Sequence, residues 1–293
     1  MPETIVLALD GGVASIAALE WTLARAARRP MDVRLTTIDE SDSTRESPTE
    51  RLEAVRALGH AAGRFSEAAP QCKIEMVMRS GNAVDVLVQE SRTADLVVIG
   101  SNRVGTLAGV FNATLPLRLA PRTQSPLVVV PAEWTPSLGP VIVGIDEPTS
   151  TAAHEFAARE AERLGRELVL VRAWELPPTM SPEFVGSVTI DDAIREANSE
   201  LLETAAAGVH RRHRGLALRE KLVYAVPSQA LVGEARDMEL VVIGTHRRHE
   251  LAEWMLGSVG HDLVMHLPCP VAIVPEPDSA SPLVPPDVPG EEF

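Results

Sequence analysis

The stretch GTHRRHELAEWMLGS, residues 244–258, has the residue types of an anion site. Gly244 closes an apolar run, LVVI, and the pair Gly257-Ser258 stands before a helical segment. Glycine lets backbone N–H groups approach a phosphate closely, a helix start offers unpaired N–H groups, and a serine hydroxyl adds a donor. Thr245, after the strand glycine, either donates to the same anion or caps the local turn. His246, Arg247, Arg248 and His249 make the middle of the loop basic within an acidic protein. An earlier stretch, GSNRVGTLAGVFNAT, residues 100–114, has the same outline in Gly100, Ser101, Arg103 and Thr114. Well upstream of each stretch an aspartate ends an apolar run, Asp10 in LALDGG and Asp146 in VGIDEP. Such an aspartate can cap the turn or helix that follows.

The elements that must position these residues occur twice. IVLALDGGVASIAALEWTLARAA is echoed by VIVGIDEPTSTAAHEFAAREAERL, TADLVVIGSNR by MELVVIGTHR, and SPLVVVPAE by CPVAIVPEP. Three blocks in the same order make a tandem duplication. Asp10 is then the counterpart of Asp146, Gly100 of Gly244, and Val128–Pro131 of Ala272–Pro275. One copy covers residues 1–135 and the other 138–277, joined through PAEWTPSLGP, which proline and glycine break. The tail over 278–293, rich in Pro, Ser and acid, is expected to be disordered.

Strands are expected near 4–9, 32–38, 73–78, 95–99 and 126–130, and near 140–145, 167–173, 219–224, 239–243 and 270–274. Helices are expected over 14–28, 48–67, 83–92 and 111–120, then 150–164, 189–211, 228–236 and 254–266. Trp21 and Phe156 hold matched helix positions and belong in the core. Unbroken Val, Leu and Ile runs suit strands buried on both faces. The fold class is α/β: two tandem doubly wound domains, each a five-stranded, mostly parallel sheet with helices on both faces. Ligands of such sheets sit beyond the carboxyl ends of the strands, where strand order reverses. Asp10, Asp146, Gly100 and Gly244 all fall at that edge.

With these motifs in place, the chain resembles the universal stress protein family over nearly its whole length, as two tandem domains. The shared features are the strand ending in Asp before a small-residue turn, a later strand ending in glycine, the loop Gly-x2-Gly-x9-Gly-Ser/Thr, and a final Pro-Val-x-Val-Val strand. The resemblance implies ATP binding where the glycine pattern is intact, with adenine near the first strands and phosphates on the glycine loop. Where the pattern is broken, it implies a general loss of binding. The second copy reads Gly244-x2-Arg247-x9-Gly257-Ser258, with arginine for the middle glycine. The first reads Gly100-x2-Arg103-x9-Ala113-Thr114 and lacks two glycines. A further element, Gly-x-Pro after the third strand, is half kept in each copy, as Gly81-Asn82-Ala83 and Ala225-Val226-Pro227. The resemblance gives Asp10 and Asp146 a second role, contact with adenosine or with a metal–phosphate group. Arginine at 103 and 247 either pairs with a phosphate or occupies its place, the latter with Asp146 or Glu250 as partner. A left-handed backbone there would cost an arginine about 1–2 kcal/mol.

Composition narrows the function further. A net charge of -14 over 293 residues argues against general binding to nucleic acid or to an anionic membrane. The basic run HRRHR, residues 210–214, ends a helix and complements its dipole, as do Arg25, Arg28 and Arg29. His154 has no partner at metal-ligand spacing and is assigned a surface or packing role. Cys72 and Cys269 form no metal or disulfide pattern and suit a reducing, cytoplasmic setting. Neither a signal peptide nor a membrane span is expected. No GxxxxGK[ST], Gly-x-Ser-x-Gly or HExxH motif occurs, so no catalytic constellation is expected.

The expected function is an adenine-nucleotide-binding regulatory protein of the stress response, acting by binding rather than turnover. ATP would be held mainly in the second domain by Asp146, Gly244, Thr245, Arg247, Gly257 and Ser258. Asp10, Gly100, Ser101 and Thr114 are the corresponding groups of the first. Mg enters only with bound nucleotide. The alternative is a scaffold of the same fold that binds partners and no nucleotide; slow ATP hydrolysis ranks last for want of a base. A regulatory protein is the expected macromolecular partner. SPLVVVP and CPVAIVP are expected to pair within the chain as a pseudo-dimer, and the resemblance alone adds association of two chains as a homodimer.

Overall fold

A computed structural model describes residues 2–40, 48–101, 114–146, 151–175, 188–247 and 254–276. The tail over 278–293 and Arg103, Ala113, Arg248, His249 and Glu250 lie outside these residues.

The apolar runs of the first copy form β1 (Glu3–Ala8), β2 (Met31–Asp39), β3 (Lys73–Ser80), β4 (Leu96–Ser101) and β5 (Leu127–Pro131). Those of the second form β6 (Val141–Gly144), β7 (Leu168–Trp174), β8 (Leu218–Tyr224) and β9 (Leu240–Gly244). Two short strands follow, β10 (His246–Arg247) and β11 (Trp254–Met255), and then β12 (Val271–Val274). The halves have matching orders, β3-β2-β1-β4-β5 and β8-β7-β6-β9-β12, with every neighbour inside a half parallel. The order reverses between β1 and β4, and again between β6 and β9.

Parallel neighbours need crossovers, and helices supply them. These are α1 (Val13–Ala26), α2 (Pro48–Ala68), α3 (Ala83–Ser91) and α4 (Thr114–Leu119) in the first half. The second half has α5 (Thr151–Leu164), α6 (Val188–Arg212), α7 (Pro227–Glu234) and α8 (Ser258–His266). Period-two alternation sends adjacent strand residues to opposite faces. Ile5, Leu7, Val128 and Ala272 pack with Trp21, Phe65, Phe156 and Val209 of α1, α2, α5 and α6. Val6, Val97, Val129 and Ile273 pack with Leu87, Leu119, Leu231 and Leu263 of α3, α4, α7 and α8. Trp21 and Phe156 are core residues, at 5% and 8% exposure.

The two halves share one sheet. β12 lies antiparallel to β5, with Val271 opposite Val129, Ala272 opposite Val128 and Ile273 opposite Leu127. SPLVVVP and CPVAIVP therefore pair within the chain, and the sheet has ten strands. Val128 and Ala272 are counterparts in the duplication and stand opposite each other, so a pseudo-twofold axis passes between them.

One expected element differs. The helix expected over 254–266 starts at Ser258, and Trp254 and Met255 are extended. Arg247 pairs with Trp254 and His246 with Met255, so the backbone after β9 turns back on itself as a hairpin. Gly257, extended at φ -57° and ψ 172°, then caps the helix.

Candidate functional site

In the second half a cavity of about 460 Å³ opens beyond the carboxyl ends of β6, β7 and β9. Its apolar walls include Val171, Leu231, Ile243 and Leu256, and its polar groups include Asp146, Arg172 and Asn198. Gly257 and Ser258 bring the start of α8 to its rim. Asp146 follows β6 and is engaged by Arg172 of β7. The Arg172 Nη1 donates to the Asp146 main-chain carbonyl, to Asp146 Oδ1 at 3.2 Å, and to the Ile145 carbonyl at 3.0 Å. Nε of the same guanidinium donates to Asn198 Oδ1 at 2.9 Å, which ties α6 to the end of β6. Trp174 also lines the cavity and meets Tyr224 edge-on, with ring centroids 4.8 Å apart.

The first half has a smaller cavity of about 250 Å³ in the matching place, lined by Asp10, Gly100, Thr114, Glu40 and Arg118 among others. Asp10 makes a tight turn, its Oδ1 accepting from Gly12 N at 2.8 Å. Glu40 closes over the start of α3, its Oε1 accepting from Ala83 N at 2.7 Å. Thr37, buried in β2, holds the place that Arg172 holds in β7, because both strands keep the same register to their inner neighbour.

The two glycine types serve different ends. A Cβ on Gly100 would stand 2.0 Å from the Ala14 carbonyl oxygen, so glycine is needed there for α1 to cross the end of β4. A Cβ on Gly257 would meet nothing within 4 Å among the described residues. Its backbone is not left-handed, so what its missing side chain provides is room, among the described residues, in front of the N-terminus of α8. Asp146, Gly244, Gly257 and Ser258 are thus brought to one cavity, and Asp10, Gly100 and Thr114 to the other. Thr245 and Ser101 line neither: they are 1% and 0% exposed, and neither hydroxyl has a hydrogen-bond partner among the described residues. Arg247 has an extended backbone in β10, so arginine is accommodated there without left-handed strain; its side chain lies outside the described atoms.

Other sequence candidates settle into the framework. HRRHR ends α6 and pairs with carboxylates of α5: Arg212 with Glu155 at 3.0 Å, and His213 with Glu155 at 3.2 Å and Glu162 at 3.0 Å. His154 is inside, at 2% exposure, and burial together with the nearby Arg212 lowers it to about 4. Cys72 and Cys269 are both free thiols, and burial pushes Cys269 up to about 12. Among the described residues no cluster of His, Cys, Asp or Glu could hold a metal, and no helix is long and apolar enough to cross a membrane.

Arg172, Trp174 and Asn198 are the cavity residues that motif spacing misses. The one signal for them is the charge inside VLVRAW, an apolar strand run in which an arginine has no packing role.

Residues 1–131 and again 138–275 match the Universal stress protein family. Universal stress protein Rv2005c of Mycobacterium tuberculosis is 28% identical over 291 residues, covering 92% of this chain and 96% of the relative. Universal stress protein Rv1996 of the same organism is 30% identical over 198 residues, covering 66% of this chain and 62% of that relative's length. Among solved structures, a universal stress protein from Archaeoglobus fulgidus superposes with a TM-score of 0.67 at 15% identity, covering 93% of this chain and 98% of that one. Protein PA1789 from Pseudomonas aeruginosa, described as functionally unknown, superposes at 0.62 with 14% identity, covering 94% and 92%. These two likenesses extend to the fold. The chain belongs to the universal stress protein family and carries the family's domain twice in tandem.

Proposed function

We propose that this chain is a regulatory protein of the stress response that binds ATP in the second-half cavity and acts by binding rather than turnover. One observation carries the reading: the N-terminus of α8, which no described residue closes in front of Gly257, faces a cavity of about 460 Å³ that Asp146 also lines. The first-turn N–H groups and the Ser258 hydroxyl suit phosphate oxygens. Val171, Leu231, Ile243 and Leu256 suit a flat apolar base, and Asp146 can accept from a ribose hydroxyl. Mg would enter with the phosphates. The extended backbone at Arg247 needs no glycine, and its guanidinium is a charge that suits a phosphate.

A scaffold that binds no nucleotide is the second reading, and Arg172 favours it, since Asp146 is already engaged. Calorimetry and thermal shift with ATP separate the two. Binding should be seen with the intact chain and abolished by Gly257→Glu, which puts a carboxylate into the open space before α8. No heat and no shift at about 1 mM ATP, a weak-binding limit of roughly 4 kcal/mol, leaves the scaffold. Phosphate release above a protein-free control would overturn action by binding alone.

A further inference from the structure

A cluster of charges lies away from both cavities, where α1 meets α5. Arg25 and Glu160 are each 3% exposed. Arg25 Nη1 donates to Glu160 Oε2 at 2.5 Å and Nη2 to Oε1 at 2.8 Å. Each also has a partner in its own half: Glu3 Oε1 accepts from Arg25 Nη2 at 2.6 Å, and Arg163 Nη2 donates to Glu160 Oε2 at 2.7 Å.

Arg25 stands four residues after Trp21, and Glu160 four after Phe156, the matched core aromatics of the two helices. The residues that follow, Ala26 and Ala161, are both 0% exposed, so the helices share this register. Arg25 and Glu160 are therefore counterparts that touch each other, which places them on the same pseudo-twofold axis as Val128 and Ala272. A residue on such an axis faces its own counterpart, and in a pair of identical halves it faces a copy of itself.

We propose that the Arg25–Glu160 pair chooses the partner of each half. It makes the first half complementary to the second and neither complementary to itself, so that β5 and β12 are reserved for each other and withheld from like halves of another copy. The β5–β12 ladder does not make this choice: Leu127, Val128 and Val129 against Val271, Ala272 and Ile273 are apolar on both sides and would accept like halves. Two first halves would bring Arg25 against Arg25, and two second halves Glu160 against Glu160. Glu3 and Arg163 would still attend each charge, but the bidentate bond would be replaced by repulsion at a depth where water screens poorly. A neutral pair in this place could be as stable and would choose nothing.

The test uses the full chain with a protease site inserted beside Leu138, which is 81% exposed in the linker. The folded protein is cleaved, unfolded in urea, refolded and weighed by native mass spectrometry. Unlike pairs should exceed like pairs by more than about tenfold in the wild type, a preference of roughly 1.4 kcal/mol or more. Arg25→Gln/Glu160→Gln should bring the products close to random proportions, and Arg25→Met/Glu160→Met should repeat the result with an apolar pair. Random proportions from the wild type, or neutral variants as selective as the wild type, would overturn the proposal. Loss of all pairing in both neutral variants would overturn it too, since the contact would then supply stability and not choice.

Discussion

Arg172 is a charge near the end of a strand whose neighbours Leu170 and Val171 are fully buried, and it makes Asp146 part of a fixed structure. On the proposed function, Arg172→Ala should free Asp146 for a ribose hydroxyl and tighten ATP binding by up to about tenfold, the scale of one charge-assisted contact; unchanged affinity by calorimetry would show that the pair does not compete with nucleotide. Gly100→Ala tests the other kind of glycine. Its Cβ would meet the Ala14 carbonyl at 2.0 Å, so denaturant unfolding should show a loss of about 3 kcal/mol or more. The placement of Gly257 at the cavity was legible from spacing within one chain segment, and that of Asp146 from its counterpart Asp10 at the end of a repeated apolar run. Arg172, Trp174 and Asn198 were not, because β7 and α6 bring them in from elsewhere. Thr245 and Ser101, expected among the ligand groups, are buried outside both cavities: each follows a cavity-lining glycine in the chain, and period-two alternation turns it inward.

At the scale of elements, the strands and helices followed the apolar period closely: the inner strands such as β4, β5, β9 and β12 are buried along their length, and the edge strands β3 and β8 are the most exposed. Trp254 and Met255 did not: they were expected to begin the helix of 254–266, and backbone pairing with Arg247 and His246 holds them extended instead. Helix α3 is capped by Asn82, whose Oδ1 accepts from Val84 N at 3.1 Å and Asp85 N at 3.4 Å. Asn82→Ala should cost about 1 kcal/mol in equilibrium unfolding. Helix α5 carries a pH response in His154. Burial, with Arg212 nearby, holds it at about 4, below its ordinary 6.5, so the unfolded chain takes up the proton first. Its stabilisation is complete above 6.5 and falls as pH drops toward about 4. The loss amounts to at most about 3 kcal/mol. His154→Leu should flatten the denaturation midpoint across that window; an unchanged slope would assign the response to another group.

For the molecule as a whole, the joint between halves was legible in SPLVVVP and CPVAIVP, but its charge pair was not. Aligning two copies reveals counterparts, and only the fold reveals that two of them touch. Burial pushes Glu160 up, yet Arg25 and Arg163 outweigh it and hold the carboxyl at about 2, below its ordinary 4.5. The stabilisation from this group is therefore present above 4.5 and is lost as pH falls through about 2. Unfolding followed across that range should steepen in the wild type and flatten in Glu160→Gln, and equal slopes would show that the joint does not titrate.

The antiparallel meeting of β5 and β12 also sets direction. Within the ten-stranded sheet, every strand of the first half points its carboxyl end one way, and every strand of the second points the other. The two cavities consequently open on opposite sides of the sheet's rim, back to back. The chain is two-ended, with one cavity at each end.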